Sequence, residues 1–197
     1  MKKGVNNFAI LALVVAVVVG GNMFSSQIDR WRFPWGYASS GRPTLTGSWV
    51  GSLRTATGLQ RGVIIDMKLP EISGRRRRYR RSRYGSLEGT ARTCDESGLI
   101  RSFTVSGAPE NKDATRLHLT GLPVEKPALN GLRLGTMKGT WDQANTLHVE
   151  AQLYVEKDGG TTSGADYPDT EKAAPLHMTH GGDSEFRAAC ARIKQPG

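Results

Sequence analysis

The sequence predicts a mainly β protein, folded as an eight-stranded antiparallel barrel or a flattened relative of one. From residue 46 onward, apolar and polar side chains alternate with a period of two, which is the pattern of strands buried on one face. The chain also contains 24 glycines. Together with Asp and Asn, many of them divide the sequence into short segments joined mostly by short turns, as in an up-and-down barrel.

The chain divides into three parts. Residues 1–28 form an apolar N-terminal segment, residues 29–45 form a linker, and residues 46–197 form the barrel domain. A length of 197 residues is enough for one domain of ordinary size with extensions.

The N-terminal segment is predicted to direct the chain to a membrane, as a signal peptide or as a transmembrane anchor. Two lysines precede an unbroken apolar run at residues 8–19, and no further charge appears before Asp29. Cleavage before Asn22 would leave a secreted or periplasmic domain. We favour a retained hydrophobic helix, which would anchor the domain on the extracytoplasmic side.

The linker is rich in Pro, Gly and Ser over residues 33–44, which predicts an irregular, extended tether. Its aromatic residues leave two alternatives open. Trp31, Trp35 and Tyr37 could lie at the headgroup layer of the outer leaflet, or they could pack on the domain.

Eight strands are predicted from the period of two. The clearest alternation is that of Leu147, Val149, Ala151 and Leu153 with the polar residues between them. The predicted strands lie at residues 47–54, 63–69, 85–94, 99–106, 115–122, 132–141, 147–156 and 175–180.

The C-terminal tail is predicted to form a short helix, because Phe186, Ala189, Cys190 and Ile193 fit helical spacing and Asp183 or Ser184 could cap it. A strand is the alternative. Cys94 and Cys190 are the two cysteines of the chain. Outside the cytoplasm such a pair is more often a disulfide than two free thiols, so we expect a bond that links the tail to the third strand.

The triplet Gly47, Ser48 and Trp49 opens the first strand, and in an eight-stranded barrel it resembles the lipocalin and wider calycin pattern. The resemblance implies that Trp49 helps to close one end of the barrel, under an arginine that would be Arg192 or Arg187. It also implies a small apolar ligand inside the barrel, whose contact residues are unknown. The alternative is a barrel filled by its own side chains.

An arginine run between the second and third predicted strands carries most of the net charge of +9. Without its seven arginines, the chain has 20 basic and 18 acidic residues. Guanidinium groups bind phosphates, so the run predicts contact with anionic lipid or another envelope polyanion, and a merely solvated loop is the alternative. Nucleic acid is disfavoured by the predicted export. The run consists of Arg75, Arg76, Arg77, Arg78, Arg80, Arg81 and Arg83.

Catalytic residues, cofactors and metal ligands are not predicted. The sequence has neither a nucleophile elbow nor a phosphate-binding loop that ends in Lys and Ser or Thr. His177, His180 and Asp183 have metal-like spacing, but strand residues three apart face opposite sides. His118 and His148 are expected to be solvated. Two functions remain: a lipophilic ligand carrier, and an interaction protein that docks on anionic surfaces through the arginine run.

Overall fold

The computed structural model describes residues 11, 27–28, 30–38, 43–54, 58, 60–70, 83–124, 132–155 and 171–193. These residues form eight strands, followed by one helix, α1 (Asp183–Ile193). The strands are β1 (Gly47–Arg54), β2 (Gln60–Lys68), β3 (Leu87–Cys94), β4 (Ile100–Pro109), β5 (Arg116–Pro123), β6 (Leu132–Trp141), β7 (Thr146–Val155) and β8 (Glu171–His180).

The strands form a closed antiparallel barrel. Each pairs with the next along the chain, and β8 returns to β1, where Trp49 lies opposite His180 and Leu53 opposite Leu176. Closure leaves neither β1 nor β8 with a free edge. The predicted eight-stranded barrel is confirmed, and β1 and β6 have the predicted bounds. The largest difference is in β8, which begins at Glu171 and not at residue 175.

The interior of the barrel is apolar because alternate residues of every strand point inward. Its side chains come from all eight strands, and Trp49, Ile65, Leu119 and Met137 are among those fully buried. One end is closed by the plug, which we define as residues 33–38 and 43–45 and which enters directly before β1. We call this the plugged end, and the opposite one the far end.

The plug was expected to be an extended tether, but its described residues pack on the barrel. A short 3-10 helix at Pro34–Gly36 sets Trp35 and its neighbour Phe33 against the core, with 4% and 8% of their surfaces exposed. The Leu45 amide donates a hydrogen bond of 2.8 Å to the Trp35 carbonyl oxygen. Burial of the two aromatic rings outweighs the preference of Pro and Gly for irregular chain.

Helix α1 covers the outer wall over β1 and β2. Phe186 and Ile193 pack there on Val50 and Ile64, which explains why these two outward positions are apolar. Asp183 in the first turn forms an ion pair with Arg92 of β3. The predicted helix is confirmed with a beginning at Asp183.

The first turn of α1 is also supported by Glu185. Its carboxylate accepts hydrogen bonds from the Ser184 hydroxyl, at 2.7 Å, and from the Gly182 amide, at 2.8 Å. Two hydrogen bonds hold the pKa of Glu185 below its ordinary value, because both stabilise the ionised carboxylate. The Ser184 hydroxyl has the larger effect and the Gly182 amide the next largest. This arrangement satisfies backbone donors that a helix N-terminus leaves without partners.

The predicted disulfide between Cys94 and Cys190 is confirmed. It joins the last residue of β3 to α1 across a sequence separation of 96 residues. The sulfur atoms lie over Gly62, where a methyl group would come within 2.7 Å of the Cys94 Sγ. The bond therefore fixes the helix on the wall at a place where β2 has no side chain to hold it away.

Two inward-facing glycines allow neighbouring strands to approach closely where the wall bends. A methyl group on Gly89 would lie 1.7 Å from the Asp66 carbonyl oxygen, and one on Gly107 would lie 2.0 Å from the His118 carbonyl oxygen. In both cases the atom approached is backbone and cannot rotate away. Glycines at such positions are typical of the corners of closed barrels.

Replacing both cysteines, Cys94→Ser with Cys190→Ser, should lower the free energy of unfolding by about 2–5 kcal/mol, because the long loop that the bond closes is released in the unfolded chain. Urea denaturation measures this difference. The reduced wild-type protein should match the double variant. Equal stability of the oxidised protein and the variant would show that the bond does not stabilise the fold.

Gly89→Ala should lower the free energy of unfolding by about 1–3 kcal/mol or more, because β2 and β3 must separate to admit the methyl group. Gly182→Ala is the matched control, since the nearest atom to its methyl group would be the Glu185 Oε2 at 3.7 Å. Thermal denaturation should show a clear loss for the first variant only. A Gly89→Ala protein as stable as the control would contradict the close approach of the two strands.

Candidate functional site

The plugged end brings the linker and the roots of the arginine run together. Strand β2 ends there at Lys68, and β3 begins there at Leu87. Leu69 packs against the plug, because a methyl group on Gly36 would lie 2.9 Å from its Cδ1. On the other side Gly85 has a φ of +100° and no side chain, and a methyl group there would lie 2.8 Å from Trp35. The loop between β2 and β3 therefore starts and finishes on either side of the plug.

The predicted anionic-surface contact is only partly within the described residues. Arg75, Arg76, Arg77, Arg78, Arg80 and Arg81 lie outside them. Arg83 is described and exposed, with its guanidinium carbon 5.8 Å from the centroid of the Tyr84 ring. The chain leaves the barrel for this run at the plugged end and returns to the same end.

Further basic and aromatic side chains lie immediately before the plug. Trp31 is 83% exposed and stands between Arg30 and Arg32 in the sequence. The guanidinium carbon of Arg30 is 5.9 Å from the Tyr37 ring centroid, and that of Arg32 is 5.5 Å from the Phe33 ring centroid. The part of the chain that leads into the barrel thus combines two positive charges with an exposed indole.

The rest of the plugged end carries the opposite charge. The β4–β5 and β6–β7 turns hold Glu110, Asp113 and Asp142 against Lys112. Hydrogen bonds from the backbone amides of Ala144 and Thr146 outweigh desolvation and lower the pKa of Asp142, so this carboxylate is ionised at neutral pH. Acidic side chains at this end thus come from the β4–β5 and β6–β7 turns and from the first turn of α1, whereas the arginine run belongs to the β2–β3 loop.

Trp49 is fully buried at the plugged end, and its indole Nε1 donates a hydrogen bond of 2.9 Å to the Leu45 carbonyl oxygen. The ring that lies on it is that of His180, with centroids 3.8 Å apart. His180 Nε2 is 3.0 Å from the Thr44 carbonyl oxygen, which can only accept, so Nε2 carries the proton. Trp49 and His180 thus hold Leu45 and Thr44, the last two residues of the plug.

The arginine that the lipocalin resemblance implies is not the group found on Trp49. Arg187 and Arg192 are both exposed on α1, and the place over the indole is taken by His180. The alternation of Leu176, Met178 and His180 along β8 could have indicated an inward-facing imidazole. A polar residue at an inward position was the signal that sequence reasoning missed.

The described part of the barrel interior is filled by side chains. Leu53, Phe103, Leu134 and Leu176, which line it toward the far end, are between 1% and 2% exposed. A void that could hold water would leave the side chains around it accessible. Residues 132–133, 153–155 and 171–174 belong to strands, but their side chains are not among those described. The candidate ligand contacts stay unassigned.

The far end differs in its surface. Leu99, Ile100, Leu122 and Val124 are between 50% and 58% exposed, and we call them the rim patch. All four lie toward the far end of β4 and β5: Leu99 and Ile100 lie where β4 begins, Leu122 pairs with Thr104, and the Val124 amide donates to the Ser102 carbonyl oxygen.

The turn next to the rim patch is held by Asp95. Burial raises the pKa of this carboxyl, but hydrogen bonds from Ser97 and Leu99 and the charge of Arg61 outweigh that effect and lower it.

Arg61 pairs with the inward-facing Leu53, and Arg101 pairs with Thr93, so both arginines occupy inward register positions near the far end. Both are half-buried.

A groove of about 350 Å³ lies on the outer wall over β5 to β8. His148 and His177 lie opposite each other in the β7–β8 pair, with their Nδ1 atoms 2.6 Å apart and their rings nearly perpendicular, at 86°. His148 is exposed, in agreement with the sequence analysis, but it is paired. His177 and His180 face opposite sides of β8, as expected from their spacing.

The described residues contain neither a cluster of three metal-ligand side chains nor a membrane-spanning helix. No three of their His, Cys, Asp and Glu side chains converge as the ligands of one metal ion would. No helix among them is long and apolar enough to cross a membrane. Residues 12–26, which contain most of the predicted anchor, lie outside the described part of the chain.

The chain matches no known protein family, and no curated protein is significantly similar to it. Two solved structures are similar in fold. One is described as "Structure of EF1p2_mFAP2b bound to DFHBI"; it is 15% identical, with a TM-score of 0.46, and the match covers 70% of this chain and 94% of that one. The other is a de novo design of a fluorescence-activating β-barrel, 10% identical, with a TM-score of 0.41 and the same coverage.

Proposed function

We propose that this chain is a non-enzymatic, extracytoplasmic barrel domain, held at a membrane by its N-terminal segment, whose plugged end docks on anionic lipid headgroups. The observation that carries the proposal is topological. The linker enters the barrel at the end where β2 ends and β3 begins, on the two sides of the arginine run in the sequence, and Leu69 and Gly85 next to these strand ends contact the plug. A chain anchored through residues 8–24 therefore brings the arginine loop toward the same surface.

The chemistry of this end suits phosphate-bearing headgroups. Residues 69–86 contain seven arginines and one glutamate, and guanidinium groups form paired hydrogen bonds with phosphate oxygens. Trp31 is exposed beside Arg30 and Arg32, and tryptophan favours the interface between headgroups and hydrocarbon. Each basic side chain near an anionic surface contributes about 1 kcal/mol, so the arginine loop dominates the attraction.

The acidic groups of the plugged end limit how the domain can dock. Glu110, Asp113 and Asp142 lie in the β4–β5 and β6–β7 turns, and Asp183 and Glu185 lie in the first turn of α1. An anionic surface repels these carboxylates, so we expect the headgroups to contact the β2–β3 loop and the segment before the plug. Tethering keeps the local concentration of the domain high, so even weak docking is occupied most of the time.

The filled interior agrees with this function better than with that of a carrier. The described lumen side chains cover one another, which makes the barrel a stiff support for the plug and the arginine loop. A ligand would have to displace them or occupy space near the far end.

Replacing the seven arginines of the run with serine should weaken binding of residues 27–197 to vesicles that contain phosphatidylserine by at least about a hundredfold, if each contributes even part of its expected 1 kcal/mol. Co-sedimentation with vesicles measures the affinity. Binding of the wild-type domain should fall steeply with salt, because exposed charges are screened.

The control replaces three cations, Arg54 at the far end and Arg187 and Arg192 on α1, with serine, and it should bind nearly as the wild type does. The same loss per charge removed in both variants would point to net charge alone and contradict docking by the plugged end. Recovery of the full chain from the cytosol as a soluble protein, with both cysteines reduced, would contradict the proposed location.

Binding of a small lipophilic ligand is a second candidate function, and the rim patch favours it. Four exposed apolar side chains lie together at the far end, where the described residues include no plug. Such a patch offers a first contact for an apolar molecule, and the lipocalin resemblance implies a ligand of this class.

Native mass spectrometry of the domain purified from cells tests this candidate. A carrier should retain a lipid-sized mass, and Leu122→Ser with Val124→Ser should reduce the retained fraction by about tenfold, the effect of some 1.4 kcal/mol. Thr104→Ser, on the same face of the wall, is the control. An empty barrel in every preparation would contradict the carrier function and leave the interaction function as the remaining candidate.

A further inference from the structure

We propose that His148 and His177 form a two-histidine binding site for a late first-row divalent metal ion such as Zn²⁺, on the outer wall of the barrel. The two residues are directly opposite in the β7–β8 register, so both imidazoles stand on the same face of the wall. Metal binding by these two histidines depends neither on the lumen nor on the plugged end. The site is therefore separate from the docking function.

The geometry is close to that of a chelating pair. The two Nδ1 atoms are 2.6 Å apart, so two nitrogens that can act as metal ligands already lie next to each other. Zinc lies about 2.0–2.1 Å from each imidazole nitrogen, which places two such nitrogens about 3.0–3.4 Å apart at the usual ligand angles. A small outward rotation of the two exposed rings opens that space. No strand needs to move.

Without an ion, the pair can be satisfied in one way only. One ring must carry a proton on Nδ1 and donate it to the unprotonated Nδ1 of the other ring. When a metal ion binds, the proton of the donating ring moves from its Nδ1 to its own Nε2, so both rings stay neutral and both Nδ1 lone pairs face the ion. The arrangement that forms the hydrogen bond is thus also the one that presents two nitrogen ligands together.

The surrounding groove accepts a cation. Besides the two histidines it is lined by Arg116 and Lys138, and by Glu110 and Glu150. The two positive and two negative groups balance, so the groove does not repel a divalent ion. Among the described residues, no third side chain completes a ligand set. Two or more coordination positions are therefore left to water or to an exchangeable ligand, as in metal sites that are not purely structural.

The ligand type selects the metal. Imidazole nitrogen suits zinc, copper and nickel, whereas magnesium and calcium take oxygen ligands. Since His148 and His177 are adjacent only when β7 and β8 are paired, the ion binds the folded chain in preference to the unfolded one and stabilises it. It would bridge the two strands near the register shift between Ala151 and Leu153.

Titration calorimetry of the full chain with Zn²⁺ tests the proposal, with Mg²⁺ as the comparison ion. We expect one Zn²⁺ per chain and no binding of Mg²⁺. His148→Ala and His177→Ala should each weaken Zn²⁺ binding by at least about tenfold, since even the loss of a supporting contact to a metal ligand costs that much. Both residues are exposed, so the variants should fold.

His118→Ala is the matched control. His118 also points outward from the wall, on strand β5, but it is not among the residues that line the groove. It should bind Zn²⁺ as the wild type does. A second measurement is independent of calorimetry: Zn²⁺ should raise the melting temperature of the wild type and of the control variant, and leave that of the His148→Ala, His177→Ala double variant unchanged. Zn²⁺ binding that survives the double replacement, or no Zn²⁺ binding at all, would overturn the proposal.

Discussion

The pairing of β1 with β8 is the constraint on which the rest of the structure depends. It closes the sheet, and closure gives every strand one inward and one outward face. The inward face explains the apolar interior and the buried Trp49. The outward face explains the second, smaller core, where Val50 and Ile64 would be exposed if α1 did not cover them. On the same outer face, the pairing of β7 with β8 brings His148 and His177 together.

Closure also makes the two ends of the barrel unequal. An up-and-down chain with an even number of strands begins β1 and finishes β8 at the same end, so the linker, the plug and the turn into α1 meet there. The β2–β3 loop belongs to that end as well. The linker and both ends of the β2–β3 loop therefore lie at the plugged end, whereas the rim patch lies at the far end. The two candidate functions occupy opposite ends and do not compete for space.

The period of two and the turn residues predicted all eight strands, because each strand has one buried face. The tail helix and the disulfide followed from helical spacing and from the even number of cysteines. The plug was only partly predicted: packing of Trp35 and Tyr37 on the domain was one of two alternatives, because the Pro and Gly around them resemble a linker until tertiary packing decides. The pairing of His148 with His177 was also out of reach, because the long polar segment between β7 and β8 does not fix their register. Arg192 was inferred from a resemblance, and its expected place over Trp49 belongs to His180.

The position of α1 at the C-terminal side of β8 has a consequence for the order of folding. When a chain emerges N-terminus first, β1 and β2 appear long before the strand and the helix that complete them. Until then, β1 has an unpaired edge, and Val50 and Ile64 are exposed to solvent. Cys94 has no disulfide partner either, because Cys190 follows β8 in the chain. Contacts between such distant parts of a chain form slowly. Completion of this barrel therefore comes late relative to the synthesis of its first strands, and the outer edge of β1 stays unpaired until β8 is available.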